Sequence, residues 1–220
     1  MQCYIVNSDI KAIIFDLDGT FYPYSFFEKQ YYEFSIKAMI YLFKKDKEEA
    51  IRELSDYGVY EHYIPDKSKS LTDYVLSKGI SIDDWNTYRD NHFVISDFNH
   101  VETVNVCTLC ELKGSYKLYL VTNNTWDTAK RILDELGIQT EMFEKIYSSE
   151  NMYVCKEKKG KGYVYSWIKE ENNLQFKNML AVGDRYNVDL LPLLERGGNG
   201  ILVKTPDEID MIQNILDVRK

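Results

Sequence analysis

No stretch of this chain approaches the roughly 20 consecutive apolar residues that a membrane-spanning helix needs, although hydrophobic residues make up 45% of it. The first residues, Met1-Gln2-Cys3-Tyr4-Ile5-Val6-Asn7-Ser8-Asp9, have neither the basic head nor the long apolar segment of a secretory signal. A cytoplasmic protein is therefore expected. Positive charge is in short supply: 27 Lys and Arg stand against 35 Asp and Glu, a formal net charge of −8. A diffuse negative field disfavours a nucleic acid polymer or an anionic membrane as partner. It leaves room for a small phosphorylated metabolite wherever a local metal and lysine reverse the sign. Internal repeats and low-complexity linkers are absent. There are four cysteines, Cys3, Cys107, Cys110 and Cys155. Cys107-Thr108-Leu109-Cys110 has the spacing of a redox pair or of half a zinc site, but no second pair exists, and His62, His92 and His100 lack ligand spacing. The pair is read as two small apolar residues on one turn of a helix ahead of a strand.

What is present is concentrated in Ile13-Ile14-Phe15-Asp16-Leu17-Asp18-Gly19-Thr20, an apolar run of strand type that exits into two aspartates. Residues two apart in a strand point to the same side, so Asp16 and Asp18 are candidates for one site. Two carboxylates there repel each other and resist joint ionisation. A bound cation removes that cost, and one carboxylate can then attack while the other handles protons.

Four further apolar runs read as buried parallel strands. Lys117–Val121 ends at Thr122-Asn123-Asn124, Phe143–Tyr147 at Ser148-Ser149, Asn178–Val182 at Gly183-Asp184, and Gly200–Val203 near Thr205-Pro206. Between them Thr125–Leu136, Tyr163–Glu171, Val188–Glu195 and Asp207–Val218 carry apolar residues at helical spacing. The alternation predicts an α/β fold, a Rossmann-like parallel sheet of about five core strands with helices on both faces. The stretch 21–99 breaks the alternation. Helices are expected over Glu28–Phe43, Lys47–Tyr57, Leu71–Lys78 and Ile82–Arg89, so the chain divides into an α/β core of residues 1–20 and 100–220 and an all-helical insert of residues 21–99.

In open parallel sheets ligands bind beyond the carboxyl ends of the strands. That brings together Asp16, Asp18, Thr122, Asn123, Asp184 and, close behind, Asp189, with a lysine from Lys156-Glu157-Lys158-Lys159-Gly160-Lys161-Gly162. Hard oxygen ligands beside a phosphate favour Mg²⁺. Thr122 also has the position of a cap for the helix near Thr125, and Asp189 that of a helix cap or a partner for Arg185.

With these motifs in order, the chain resembles the haloacid dehalogenase superfamily, in its phosphatase branch with a helical cap of the first class. Asp16-Leu17-Asp18-Gly19-Thr20 resembles the first motif, which implies Asp16 as nucleophile and Asp18 as general acid and base. Thr122 followed by Asn123 resembles the phosphate-binding second motif. Gly183-Asp184-Arg185-Tyr186-Asn187-Val188-Asp189 resembles the metal-binding fourth motif. The resemblance implies Mg²⁺ on the Asp16 and Asp184 carboxylates and the Asp18 carbonyl, with Asp189 behind them. The usual Lys-Pro dipeptide of the third motif is absent, and its lysine is assigned to Lys161, since Lys161-Gly162 resembles the Lys-Gly form of other branches, with Lys159 and Lys156 as alternates. The family's dehalogenases lack an acid at the position of Asp18, since a departing halide needs no proton, whereas an alkoxide does. A phosphatase acting on a small phosphate monoester is therefore expected. A phosphoglucomutase-like transfer and a catalytically idle binding protein are the alternatives. Phe21-Tyr22-Pro23 resembles the Leu-Tyr-Pro of pyrimidine 5′-nucleotidase-like members. The tyrosines of the insert, among them Tyr57, Tyr60, Tyr63, Tyr74 and Tyr88, are read mainly as packing, with base stacking as the functional alternative.

Overall fold

The computed structural model describes residues 1–5, 9–64, 67–154 and 162–218. The chain divides into two compact units, one formed by Met1–Tyr24 with Ser96–Lys220, the other by Ser25–Ile95.

The first unit is built on a six-stranded sheet in the order β1-β6-β5-β2-β3-β4. In chain order the elements are β1 (Gln2–Tyr4), β2 (Ala12–Phe15), then, in the second unit apart from the first residue of α1, α1 (Tyr24–Phe43), α2 (Lys47–Tyr57), α3 (Leu71–Ser77) and α4 (Ile82–His92). The first unit resumes with α5 (Val106–Ser115), β3 (Lys117–Val121), α6 (Trp126–Glu135), β4 (Lys145–Tyr147), α7 (Ser149–Val154), α8 (Tyr163–Asn172), β5 (Met179–Gly183), α9 (Leu191–Leu194), β6 (Asn199–Leu202) and α10 (Ile212–Asp217). Strand β2 pairs in parallel with β3 on one side and β5 on the other. All four of its residues are buried, because both faces of the sheet are covered. One face packs Ala12, Ile14, Tyr119 and Val121 against Val164, Tyr165 and Ile168 of α8, the period-two alternation expected of a strand meeting the helical spacing of its cover.

The five expected core strands are present, each within two residues of its expected limits. The sheet also has an edge strand absent from the reading above. Strand β1 is antiparallel to β6. It is three residues long and begins with two exposed ones, so it has neither the length nor the apolar run that marks a buried strand. The segment expected as one helix over Val188–Glu195 is a π-helical turn, Tyr186–Leu190, followed by the short α9. The cysteines of the Cys-x-x-Cys spacing do lie on a helix ahead of a strand, α5, but Cys107 and Cys110 are both exposed.

Helix ends follow local chemistry. Thr125 caps α6, its Oγ1 accepting the Thr128 N–H at 3.3 Å, and Asp46 caps α2, its Oδ1 accepting the Glu49 N–H at 2.8 Å. Each satisfies a donor that the first helical turn leaves without a partner. No helix among the described residues is long and apolar enough to cross a membrane.

The helical unit has an aromatic core of its own. The Phe34 ring meets Trp85 at 5.8 Å and Phe93 at 5.2 Å between centroids, and Trp85 donates its indole N–H to Thr72 at 2.9 Å. Tyr74 is likewise structural: its hydroxyl donates to Glu53 at 2.6 Å and its ring meets Tyr57 edge-on at 5.0 Å. Hydrogen bonds from Tyr74 and Lys78, with Lys45 adding to them, hold the Glu53 carboxyl down to about 2. A carboxyl lowered on folding contributes stability that is complete above its unfolded value and fades as the pH falls toward the folded one. The melting temperature of Glu53→Gln should therefore lie below that of the wild type at pH 7. The gap should narrow steadily from about pH 4.5 toward pH 2, which thermal melts across that range will measure.

Candidate active site

The chain order reverses at β2: β3 and β4 extend the sheet to one side, β5 and β6 to the other. This is the switch point at which open α/β sheets bind ligands, at the carboxyl ends of the strands. The Asp16 N–H continues the β2–β5 ladder to the Val182 carbonyl at 2.9 Å, so Asp16 leaves the sheet still anchored to its neighbour. The chain then turns on Leu17, whose carbonyl accepts the N–H groups of Thr20 at 3.2 Å and Phe21 at 2.9 Å. Gly19 makes the turn at φ +85, and a Cβ there would stand 2.4 Å from Asp184 Oδ2. The position requires glycine twice over, for its backbone angle and for the close approach of the acid.

The two aspartates of the turn take different partners. Asp16 is 2% exposed and accepts the Thr20 hydroxyl on Oδ2 at 3.1 Å. One oxygen each from Asp16, Asp184 and Asp189 lie within 4.8 Å of one another. Asp189 is buried and is brought back onto the strand end by its own loop, its Oδ2 accepting the Arg185 N–H at 2.9 Å. Gly183 permits this, since a Cβ there would come within 2.4 Å of Asp189 Cβ. The Arg185 guanidinium lies beside the acids, Nε 3.7 Å from Asp184 Oδ1 and Nη2 3.9 Å from Asp189 Oδ1. Desolvation works against its charge, but Asp189, Asp16 and Asp184 together outweigh that and raise its pKa further.

Asp18 faces the β3 side. Its two oxygens accept the Asn124 amide at 3.0 and 2.8 Å, and Oδ1 also accepts the Tyr22 hydroxyl. Burial, and then the Asp18 charge, push the Tyr22 phenol well above its usual range, which keeps it protonated and a donor. Thr122, fully buried at the end of β3, accepts the Asn124 backbone N–H on Oγ1 at 3.1 Å.

Of the residues named from sequence, Asp16, Asp184 and Asp189 come together, and Asp18 and Thr122 share Asn124 as a neighbour. Asn123 is exposed at the end of the same strand. Lys156, Lys159 and Lys161, with Cys155, lie outside the described residues. Four site residues were not singled out from sequence as partners of the acids: Thr20, Tyr22 and Asn124, and Arg185 beyond its pairing with Asp189. Only Thr20 carried a local signal, as the end of the Asp-x-Asp-Gly-Thr run. An all-oxygen donor set of three clustered carboxylates fits a hard divalent cation, whose charge would relieve their mutual repulsion.

Residues 10–195 match the model of the haloacid dehalogenase-like hydrolases. Similar solved structures include a haloacid dehalogenase family phosphatase from Thermococcus onnurineus, 16% identical with a TM-score of 0.62 over 94% of this chain and 98% of the other. A 2-haloacid dehalogenase from Pseudomonas syringae is 16% identical, with a TM-score of 0.57 over 96% and 100% of the two chains. A haloacid dehalogenase family hydrolase from Bacillus subtilis, bound to magnesium, is 13% identical with a TM-score of 0.57 over 93% and 99%. At these identities the likeness is one of fold. No curated protein sequence matches.

Gly19→Ala should lower stability by about 1–3 kcal/mol, as overpacking does, because backbone and Asp184 must both yield. Gly79→Ala supplies the comparison: φ there is +88, yet a Cβ meets nothing within 4 Å. Denaturant melts of the two variants should show the larger loss at Gly19, and equal losses would mean that the approach of Asp184 costs nothing.

Proposed function

Since the chain belongs to the haloacid dehalogenase-like hydrolases, and so is a hydrolase, we propose that it is a Mg²⁺-dependent phosphatase of small phosphate monoesters. Its substrate is a phosphorylated metabolite met in the cytoplasm, and the helical insert takes the part of the cap that the family resemblance implies. The observation that carries this reading is the second carboxyl, Asp18, tied to Asn124 and Tyr22 rather than to the acid cluster. One solved relative in fold is a phosphatase and another a dehalogenase, and the acid at position 18 favours the first reading. A halide leaves as a stable anion, whereas the alkoxide of a phosphate ester needs a proton.

In this mechanism an oxygen of Asp16 forms a bond to phosphorus as the bond from phosphorus to the ester oxygen breaks. The Asp18 carboxyl gives its proton to that departing oxygen. Its carboxylate then takes a proton from the water that attacks the aspartyl-phosphate, freeing inorganic phosphate and restoring Asp16. Thr122, Asn123 and a lysine, Lys161 with Lys159 and Lys156 as alternates, bind the phosphoryl oxygens on which charge must be stabilised. The Asp16 and Asp184 carboxylates and the Asp18 carbonyl would hold Mg²⁺, which when bound would supply charge neutralisation to the phosphoryl group. Asp189 orients that set from behind.

Asp16→Asn should stay folded and lose at least about 10³-fold in phosphate release from an aryl phosphate. Mg²⁺-dependent turnover persisting in that variant would remove Asp16 from the nucleophile's role. In the wild type Mg²⁺ at about 100 times its dissociation constant should add about 2.7 kcal/mol of stability by linkage. The corresponding rise in melting temperature should vanish in Asp184→Ala. A panel of nucleotides, sugar phosphates, flavin mononucleotide and phosphoglycolate will rank the substrates, and no hydrolysis of any ester would favour an idle binding protein.

A further inference from the structure

Tyr22 stands four residues beyond Asp18 and donates its hydroxyl to Asp18 Oδ1. It is fully buried, with its ring edge-on to Phe98 at 5.3 Å between centroids. A short backbone bridge joins the same two residues, Asp18 and Tyr22. The second hold on the carboxylate comes from 106 residues away, where the Asn124 amide reaches both oxygens. Asn124 is itself fixed at two points. Its N–H donates to Thr122 Oγ1 at 3.1 Å, and its carbonyl accepts the Ser149 N–H at 2.8 Å. Phenylalanine at position 22 would keep the ring packing without the cost of burying a hydroxyl. The hydroxyl's bond is to the acid.

A carboxyl group turns easily about its last torsion, which is broad and roughly two-fold. Donors from two separate loops remove that freedom. Building on the phosphatase reading, we propose that Tyr22 is a positioning residue that, together with Asn124, locks the Asp18 carboxyl in the orientation from which it delivers its proton to the departing oxygen. The proton moves from Asp18 to the ester oxygen as the bond to phosphorus breaks and Asp16 takes its place on phosphorus. Tyr22 neither gives nor takes a proton in this step. A misplacement of about 1 Å in such a group can cost about 10²-fold in rate. The loss must grow with the leaving oxygen's need for a proton.

The test compares kcat/KM for two esters, since kcat/KM reports formation of the aspartyl-phosphate. One is 4-nitrophenyl phosphate, whose leaving group departs with little help. The other is glycerol 2-phosphate, whose alkoxide does not. Tyr22→Phe should lose about 10²-fold on the alkyl ester and under about tenfold on the aryl ester, with KM little changed on either. Its melting temperature should stay close to the wild type because the ring remains. Asn124→Ala should show the same selectivity and serves if Tyr22→Phe folds poorly. Equal losses on both esters would make Tyr22 merely structural and overturn the proposal, as would no loss on either. The wild type separates the two readings. If it hydrolyses neither ester nor any of the wider panel, the phosphatase reading itself falls. If it is active while the variant keeps its ratio of rates, only the positioning role falls.

Discussion

Phe15 is paired on both sides at once, with Leu120 of β3 and Val182 of β5. That double pairing is the constraint on which the site depends. It leaves Asp16 at the place in the sheet where the chain order reverses, and the Asp16 N–H extends the ladder by one more bond. Side-chain groups that would be costly to gather in a flexible chain are thereby gathered by backbone hydrogen bonds. Three carboxylate oxygens within 4.8 Å are tolerable only with compensation. The described residues supply some of it through Arg185 and the Thr20 hydroxyl, and the donor set suits a cation.

The turn after β2 divides the aspartate pair. Gly19 bends the chain at a backbone angle other residues rarely adopt and lets Asp184 approach to within the space a methyl would occupy. As a result Asp16 joins the acids that follow β5, while Asp18 meets the amide that follows β3. The two residues share a strand exit yet sit in different electrostatic surroundings, and that difference is what allows different roles for two identical side chains. The helical unit tells a parallel story about its aromatic residues. Tyr74 holds Glu53 and meets Phe43 and Tyr57 edge-on, and Tyr88 stacks on His92 at 4.2 Å. These rings have structural work within their own unit, which is the packing role expected of most of the tyrosines.

The buried strands were legible because β2, β3 and β5 lie inside the sheet and read as continuous apolar runs. The helices were legible because their buried residues recur at helical spacing, as Ala129, Ile132 and Leu133 do on α6. Strand β1 was not, because three residues at an exposed edge carry no such pattern. The π-helical turn over Tyr186–Leu190 was not, because its extra residue per turn serves the return of Asp189 to the strand end rather than any local propensity.

By itself the sequence determined which strand ends carry acids, a hydroxyl and amides, and that a second acid, Asp18, follows Asp16 where the first long strand ends. Local spacing sufficed for that, since motifs are written in neighbouring residues. Tertiary structure alone decided the partnerships. It selected Asn124 to hold Asp18 across 106 residues of chain, turned the Tyr22 hydroxyl inward onto the same carboxylate, and drew Asp189 into the cluster with Asp16 and Asp184. Those choices follow from parallel register and the angle of each loop as it leaves the sheet. Both are set only when distant strands pair.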